Sequence, residues 1–182
     1  MRYSLLFFVF SFLGISCAVQ LPYVSDYPLT PEIFHTRDGV ITGRVPQGWF
    51  CSTDDTLAPA LTAWLIKDDF TAVLSFRELN LDPATRKNVE HEGLSLLASI
   101  SLGMNGGDAT VKNNKLQEFS YGDKKYSGYE LGAGSRCKRI VVFSAGGKYY
   151  ECEARAANGN WAPPEIKRLF TIQQSVLAAL RF

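Results

Sequence analysis

The chain has 182 residues, enough for one domain with a sizeable buried core. Hydrophobic residues make up 46% and charged residues 20%, a balance that excludes a disordered chain. Lys plus Arg is 19 against 18 for Asp plus Glu, so the chain lacks the basic excess that nucleic-acid binding requires.

The first residues read as an export signal. Arg2 supplies a positive start and Leu5 to Leu13 an apolar run, followed by Gly14-Ile15-Ser16-Cys17. The apolar stretch to Ile15 is about eleven residues, against about twenty for a membrane span. Removing residues 1–17 takes away one charge, Arg2, and leaves 18 basic against 18 acidic residues.

Gly-Ile-Ser-Cys resembles the lipobox of bacterial lipoproteins. That resemblance implies diacylglycerol on the Cys17 thiol and cleavage just before it, with the membrane as one partner through this anchor. Gly14 departs from the pattern, where Leu is usual. Ala18 after the cysteine, rather than Asp, implies the outer membrane in a two-membrane bacterium. The rival reading is plain secretion, with cleavage after Ala18. Residues 18–33 carry Pro22, Pro28 and Pro31 without periodicity and read as a tether.

The domain is expected over residues 34–182. An Asp38-Gly39 turn precedes an apolar stretch from Val40 to Val45. Strands are expected at Leu61–Lys67 and Phe70–Leu79, the second with Phe70, Ala72, Leu74 and Phe76 on one face. Asp82 and Pro83 open a helix whose inner stripe is Val89, Gly93, Leu96, Leu97, Ile100 and Met104; Gly93 there implies close packing on a sheet. Leu116 to Leu131 reads as strand interrupted at Gly122-Asp123. Cys137–Ser144 and Lys148–Ala156 form a hairpin turning at Ala145-Gly146-Gly147; a Gly146-Gly147 turn sets Val141 opposite Cys152, and a turn slid by one residue makes Cys137 and Cys152 diagonal neighbours. Ile140 to Phe143 is continuously apolar and is expected to be covered on both faces. Pro163-Pro164-Glu165 opens a last helix, with Ile166, Leu169, Phe170, Val176, Leu177 and Leu180 inward. The class is α+β, an antiparallel sheet flanked by helices in the order βββα-βββα.

Few residues carry chemistry. His91 faces away from the helix stripe and has no partner ligand one turn along. Asp54-Asp55 and Asp68-Asp69 read as turn acids, and Gly106-Gly107-Asp108 as a helix stop. Ser135 lacks the glycine two places on that a hydrolase elbow needs. No catalytic residue, metal site or cofactor is assigned. If Cys17 is lipidated, Cys51, Cys137 and Cys152 allow one bridge at most; hairpin geometry disfavours Cys137–Cys152, and unpaired cysteines are the simpler reading. Aromatics crowd the second half, and Trp161, Tyr126 and Tyr129 are the candidates for contacting a protein partner.

Several local words carry a wider resemblance. They are Val45-Pro46-Gln47-Gly48-Trp49, Ala63-Trp64-Leu65-Ile66 with Ala72-Val73-Leu74-Ser75-Phe76, and Ile140-Val141-Val142-Phe143 followed by Gly147-Lys148-Tyr149-Tyr150. Together they resemble the PsbP-like superfamily, which spans photosystem II accessory proteins, a Ran-binding import factor and DcrB-like envelope lipoproteins. The resemblance implies an α/β/α sandwich and a non-catalytic envelope module that works by binding. The alternative function is a carrier of a small apolar ligand held between sheet and helix.

Overall fold

The computed structural model describes residues 21–52, 56, 58–106, 115–158 and 161–182. The export segment with Cys17, the pair Asp54-Asp55, and residues 107–108 and 159–160 lie outside the described residues.

Seven strands form one antiparallel sheet: β3 (Trp49–Ser52), β4 (Ala63–Lys67), β5 (Ala72–Glu78), β6 (Gln117–Tyr121), β7 (Lys124–Leu131), β8 (Lys138–Ala145) and β9 (Lys148–Ala156). Their spatial order is β3-β4-β5-β9-β8-β7-β6. β1 (Leu29–His35) and β2 (Thr42–Pro46) make a separate antiparallel pair. The helices are α1 (Pro83–Glu92), α2 (Leu94–Gly106) and α3 (Pro163–Ala179).

Period-two alternation sorts the sheet into two cores. Leu65, Leu74, Phe76, Val141, Phe143 and Cys152 face α3 and the β1–β2 pair. Tyr129, Leu131, Ile140, Val142 and Tyr149 face α1 and α2. Both faces of β8 are therefore buried, as its unbroken Ile140–Phe143 run predicts. The molecule is an α/β/α sandwich of α+β class.

The β8–β9 turn explains the register. Gly146 and Gly147 both have left-handed φ, 55° and 73°, which a two-residue type I′ turn demands. Val141 accordingly pairs with Cys152, as expected. All six inward positions named for α3 are buried. Glu165 accepts a hydrogen bond from the Ala162 amide at 2.7 Å and closes the start of α3. Asp82 caps α1 by accepting from Ala84 N and Thr85 N, each at 3.0 Å.

Four expectations need correction. The supposed tether is part of the domain: Leu29–His35 is a strand, and Leu21, Tyr23 and Tyr27 pack against the core. Prolines hid it, since β1 lies outside the main sheet, where Pro31 is tolerated. The Gly122-Asp123 interruption is a hairpin turn, so β6 and β7 pair with each other. The single helix is two: Gly93 has φ 87°, ends α1, and meets nothing where a Cβ would sit, so it breaks the helix rather than packing closely. That break rotates the stripe, and Met104 is left 75% exposed.

The β1–β2 turn is tied to β9 through Asp38. Its carboxylate accepts from Tyr150 Oη at 2.5 Å, Thr36 Oγ1 at 2.7 Å, Lys148 Nζ at 3.1 Å and Val40 N at 3.2 Å. Burial works against the charge, but these donors prevail and hold the Asp38 pKa at about 2. The folded value lies below the unfolded value of about 3.9. The link is thus fully present above about pH 4 and lost as pH falls through about 2. Asp38→Asn is expected to flatten that part of the stability profile relative to wild type. Urea midpoints at several pH values check this, and parallel profiles would refute it.

Candidate functional site

One end of the sandwich gathers three aromatics, Phe50, Phe70 and Trp161, of which Phe70 is exposed. β4 and β5 are joined by Asp68-Asp69-Phe70-Thr71, and the Phe70 amide donates to the Lys67 carbonyl at 2.7 Å. The same lysine bonds the Asp69 carboxylate, and its ammonium lies 5.6 Å from the centre of the Trp161 ring. Phe70 is 67% exposed, and its ring meets Phe50 edge-on at 5.8 Å. Trp161 is half-buried against the α3-side core.

Alternation along the sequence places Phe70 with Ala72, Leu74 and Phe76 on the inner face. Those three are fully buried, yet Phe70 is out in solvent. The strand begins at Ala72, and Phe70 still belongs to the turn, so the period-two rule does not reach it. Asp69 shows why: its carboxylate accepts from Thr71 N at 3.0 Å and fixes the turn's exit.

Of the three aromatics expected to meet a partner, the structure leaves Trp161 partly accessible and buries the other two. Tyr126 stacks with Phe119 at 5.2 Å and donates to the Leu177 carbonyl at 3.0 Å. Tyr129 lies under α2, with its hydroxyl 2.7 Å from Ser101 Oγ. Burial drives both phenol pKa values upward. Strand tyrosines bury their rings readily when the hydroxyl finds a partner, and each does here. They are core residues and present nothing to a partner.

A second feature lies between α2 and the sheet. A cavity of about 210 Å³ has Leu79, Leu81, Leu97 and Ile100 in its wall. Its polar end is Glu151, which is 3% exposed. Arg77 donates to Glu151 Oε1 at 2.6 Å and Ser101 to Oε2 at 3.1 Å. Arg77, Asn105 and Glu151 also border a neighbouring cavity of about 200 Å³, beside Trp64 and Arg155.

On the α3 side, Arg139 is fully buried. Its guanidinium donates to Gln173 Oε1 at 3.1 Å and Gln174 Oε1 at 2.7 Å, and lies 4.9 Å from the Tyr23 ring centre. Burial lowers its pKa to about 10. Tyr23 in turn donates to Glu130 at 2.5 Å. Sequence reasoning missed this cluster, because Arg and Gln are usually exposed and the sequence alone does not mark them as buried.

The thiols of Cys51, Cys137 and Cys152 are unpaired among the described residues. Burial pushes Cys137 up to about 11 and Cys152 up to about 12, and raises Cys51 as well. A thiolate nucleophile is therefore disfavoured at all three. His35 and His91 are both exposed.

No protein-family model matches the chain, and no curated protein matches it. Among solved structures it is similar to the solution structure of cyanobacterial PsbP (CyanoP) from Synechocystis sp. PCC 6803. The identity is 13% and the TM-score 0.50, over 82% of this chain and 91% of that one. It is also matched to a crystal structure from Bacteroides thetaiotaomicron VPI-5482, at 12% identity and a TM-score of 0.43. That match covers 82% of this chain and 47% of the other, so the chain spans about half its length. Likeness at such identities concerns architecture, and on that ground the chain has a PsbP-like fold.

Proposed function

We propose that the protein is an exported, non-catalytic binding module of the bacterial cell envelope. Cys17 carries its lipid anchor, at the outer membrane or on its periplasmic side, and the domain acts on a protein partner. The observation that carries this reading is the aromatic end of the sandwich, where Phe70 stands exposed in the β4–β5 turn and the half-buried Trp161 ring lies beside Lys67. Aromatic side chains are enriched at protein interfaces, and Trp is among their commonest hot spots. The PsbP-like architecture supports an accessory role, and the Gly-Ile-Ser-Cys word supports the anchor. No helix among the described residues is long and apolar enough to cross a membrane.

Trp161→Ala in the anchored protein is expected to weaken partner binding about ten-fold, as loss of a mid-sized hot spot does. Cross-linking in the envelope, followed by titration of the purified partner, measures it. Unchanged affinity would remove Trp161 from the site. Intact mass of the mature protein, with Cys17→Ala as control, tests the anchor: a mass starting at Val19 without lipid would replace it with plain secretion.

The cavity beneath α2 favours a second reading, a carrier of a small apolar ligand. Its volume of about 210 Å³ is below the roughly 300 Å³ at which ligand clefts usually begin, so the carrier ranks second. Mass spectra of the folded protein from its own host decide it, since a carrier retains a ligand and a plain binding module does not.

A further inference from the structure

We propose that the Asp68-Asp69-Phe70 turn docks into a second copy of this chain, in the groove between the β1–β2 pair and the last turn of α3. The proposal rests on the reading of the aromatic end as an interaction site, and names what it meets.

Phe70 is the first ground. Lys67 to Phe70 forms a four-residue turn, and Phe70 has φ 59°, alone among the described non-glycine residues in the left-handed region. Glycine is usual at this place in a hairpin, because a Cβ is strained there. A bulky side chain at positive φ is an outlier, and such outliers cluster at functional positions. Here the strain holds an aromatic ring in solvent, with one edge contact to Phe50 in return. Among the described residues the edge contact with Phe50 is the one aromatic contact that the ring makes.

Charge is the second ground. The turn carries two carboxylates, Asp68 and Asp69, and Lys67 bonds only the latter. The groove has the opposite character. It encloses about 420 Å³, with Leu29, Ile33 and Ala178 supplying apolar surface and Arg44, Lys124 and Arg181 the charge; no acidic residue among the described ones lines it. Ile33 is 58% exposed there. Cations beside a helix C-terminus are ordinary complements of its dipole, and Lys124, bonded to the Leu180 carbonyl, is accounted for that way. Arg44 and Arg181 are not: neither forms an ion pair among the described residues. An aromatic tip with flanking acids fits an apolar floor with a basic rim.

Turn and groove are different patches of one surface, so the contact is head-to-tail and propagates from copy to copy. One ring and a few charges bury little area, so the association is weak in dilute solution and sensitive to salt. Copies anchored in one membrane would meet at a much higher effective concentration.

Sedimentation velocity on the Cys17→Ala chain tests the proposal. The sedimentation coefficient is expected to rise with protein concentration at low salt and fall back at high salt. Phe70→Asn is expected to abolish the rise and leave Tm unchanged or higher by about 2–4 °C, because asparagine tolerates the left-handed conformation. The groove variant Arg44→Glu with Arg181→Glu is expected to be monomeric too. Mixing it with a turn variant, Asp68→Lys, which leaves the Asp69 bonds that shape the turn in place, is expected to restore association. A monomer at every concentration would overturn the proposal. So would association that survives Phe70→Asn, or a lowered Tm in that variant, which would make Phe70 a stability residue. If the chain stays monomeric while Trp161 still governs binding of a different protein, the self-docking fails and the binding-module reading stands.

Discussion

Arg139→Ala is expected to destabilise the protein by about 3 kcal/mol, and Arg139→Met to leave it near wild type. The two substitutions separate the charge of this side chain from its bulk. A buried cation carries a desolvation penalty of several kcal/mol, which two neutral amides and two aromatic faces only partly offset. Nε of Arg139 has no hydrogen-bond partner. The rings over the guanidinium are Tyr23 at 4.9 Å and Phe119 at 5.4 Å. Truncation to alanine leaves a cavity among them and takes the donors from Gln173 and Gln174. Cavities of this kind cost about 2–5 kcal/mol, and each orphaned buried acceptor about 1–3, with relief of the desolvation penalty opposing both. Methionine fills the space without a charge. Urea unfolding midpoints measure both variants. An alanine variant within 1 kcal/mol of wild type would show that the cluster contributes little. A methionine variant as weak as alanine would show that the charge itself is required.

Tyr126→Ala is expected to cost about 3–5 kcal/mol, the range for removing a large buried aromatic. The ring touches Phe119, Tyr121 and Phe143, with centroids 5.2 to 6.1 Å away, and its hydroxyl holds the Leu177 carbonyl near the end of α3. Tyr126→Phe keeps the rings and loses only that bond, for about 1 kcal/mol. Thermal or urea unfolding of the two variants gives the comparison. Had Tyr126 been a surface anchor, as its sequence neighbourhood implies, alanine would leave folding within about 0.5 kcal/mol. That outcome would contradict its placement in the core.

Much of the architecture was legible because it depends on local chemistry. Gly146-Gly147 sets a register, and the run Ile140–Phe143 announces a strand with no solvent face. Asp82-Pro83 and Pro163-Pro164-Glu165 mark helix starts that the fold uses. Failures came where distant contacts decide. Prolines made residues 18–33 look unstructured, although Thr30 Oγ1 bonds the Val45 carbonyl and Tyr27 N bonds Ser175 Oγ, each at 3.0 Å. Tyr126 and Tyr129 could not be assigned inside or outside without knowing which hydroxyls find partners. Phe70 followed the alternation of its strand and escaped it by a matter of two residues. The burial of Arg139 beside Gln173 and Gln174 has no local signature at all, since each residue type is usually exposed.

The packing of Leu21, Tyr23 and Tyr27 against the core changes what an acyl chain on Cys17 would mean for the domain's freedom. Four peptide units connect Cys17 to Leu21, and fully extended they reach about 14 Å. A domain on so short a lead would not sweep out a hemisphere above the lipid. It would ride close to the headgroups, and a pull on the lead would be felt first at Leu21, then at Tyr23, and through its ring at Arg139.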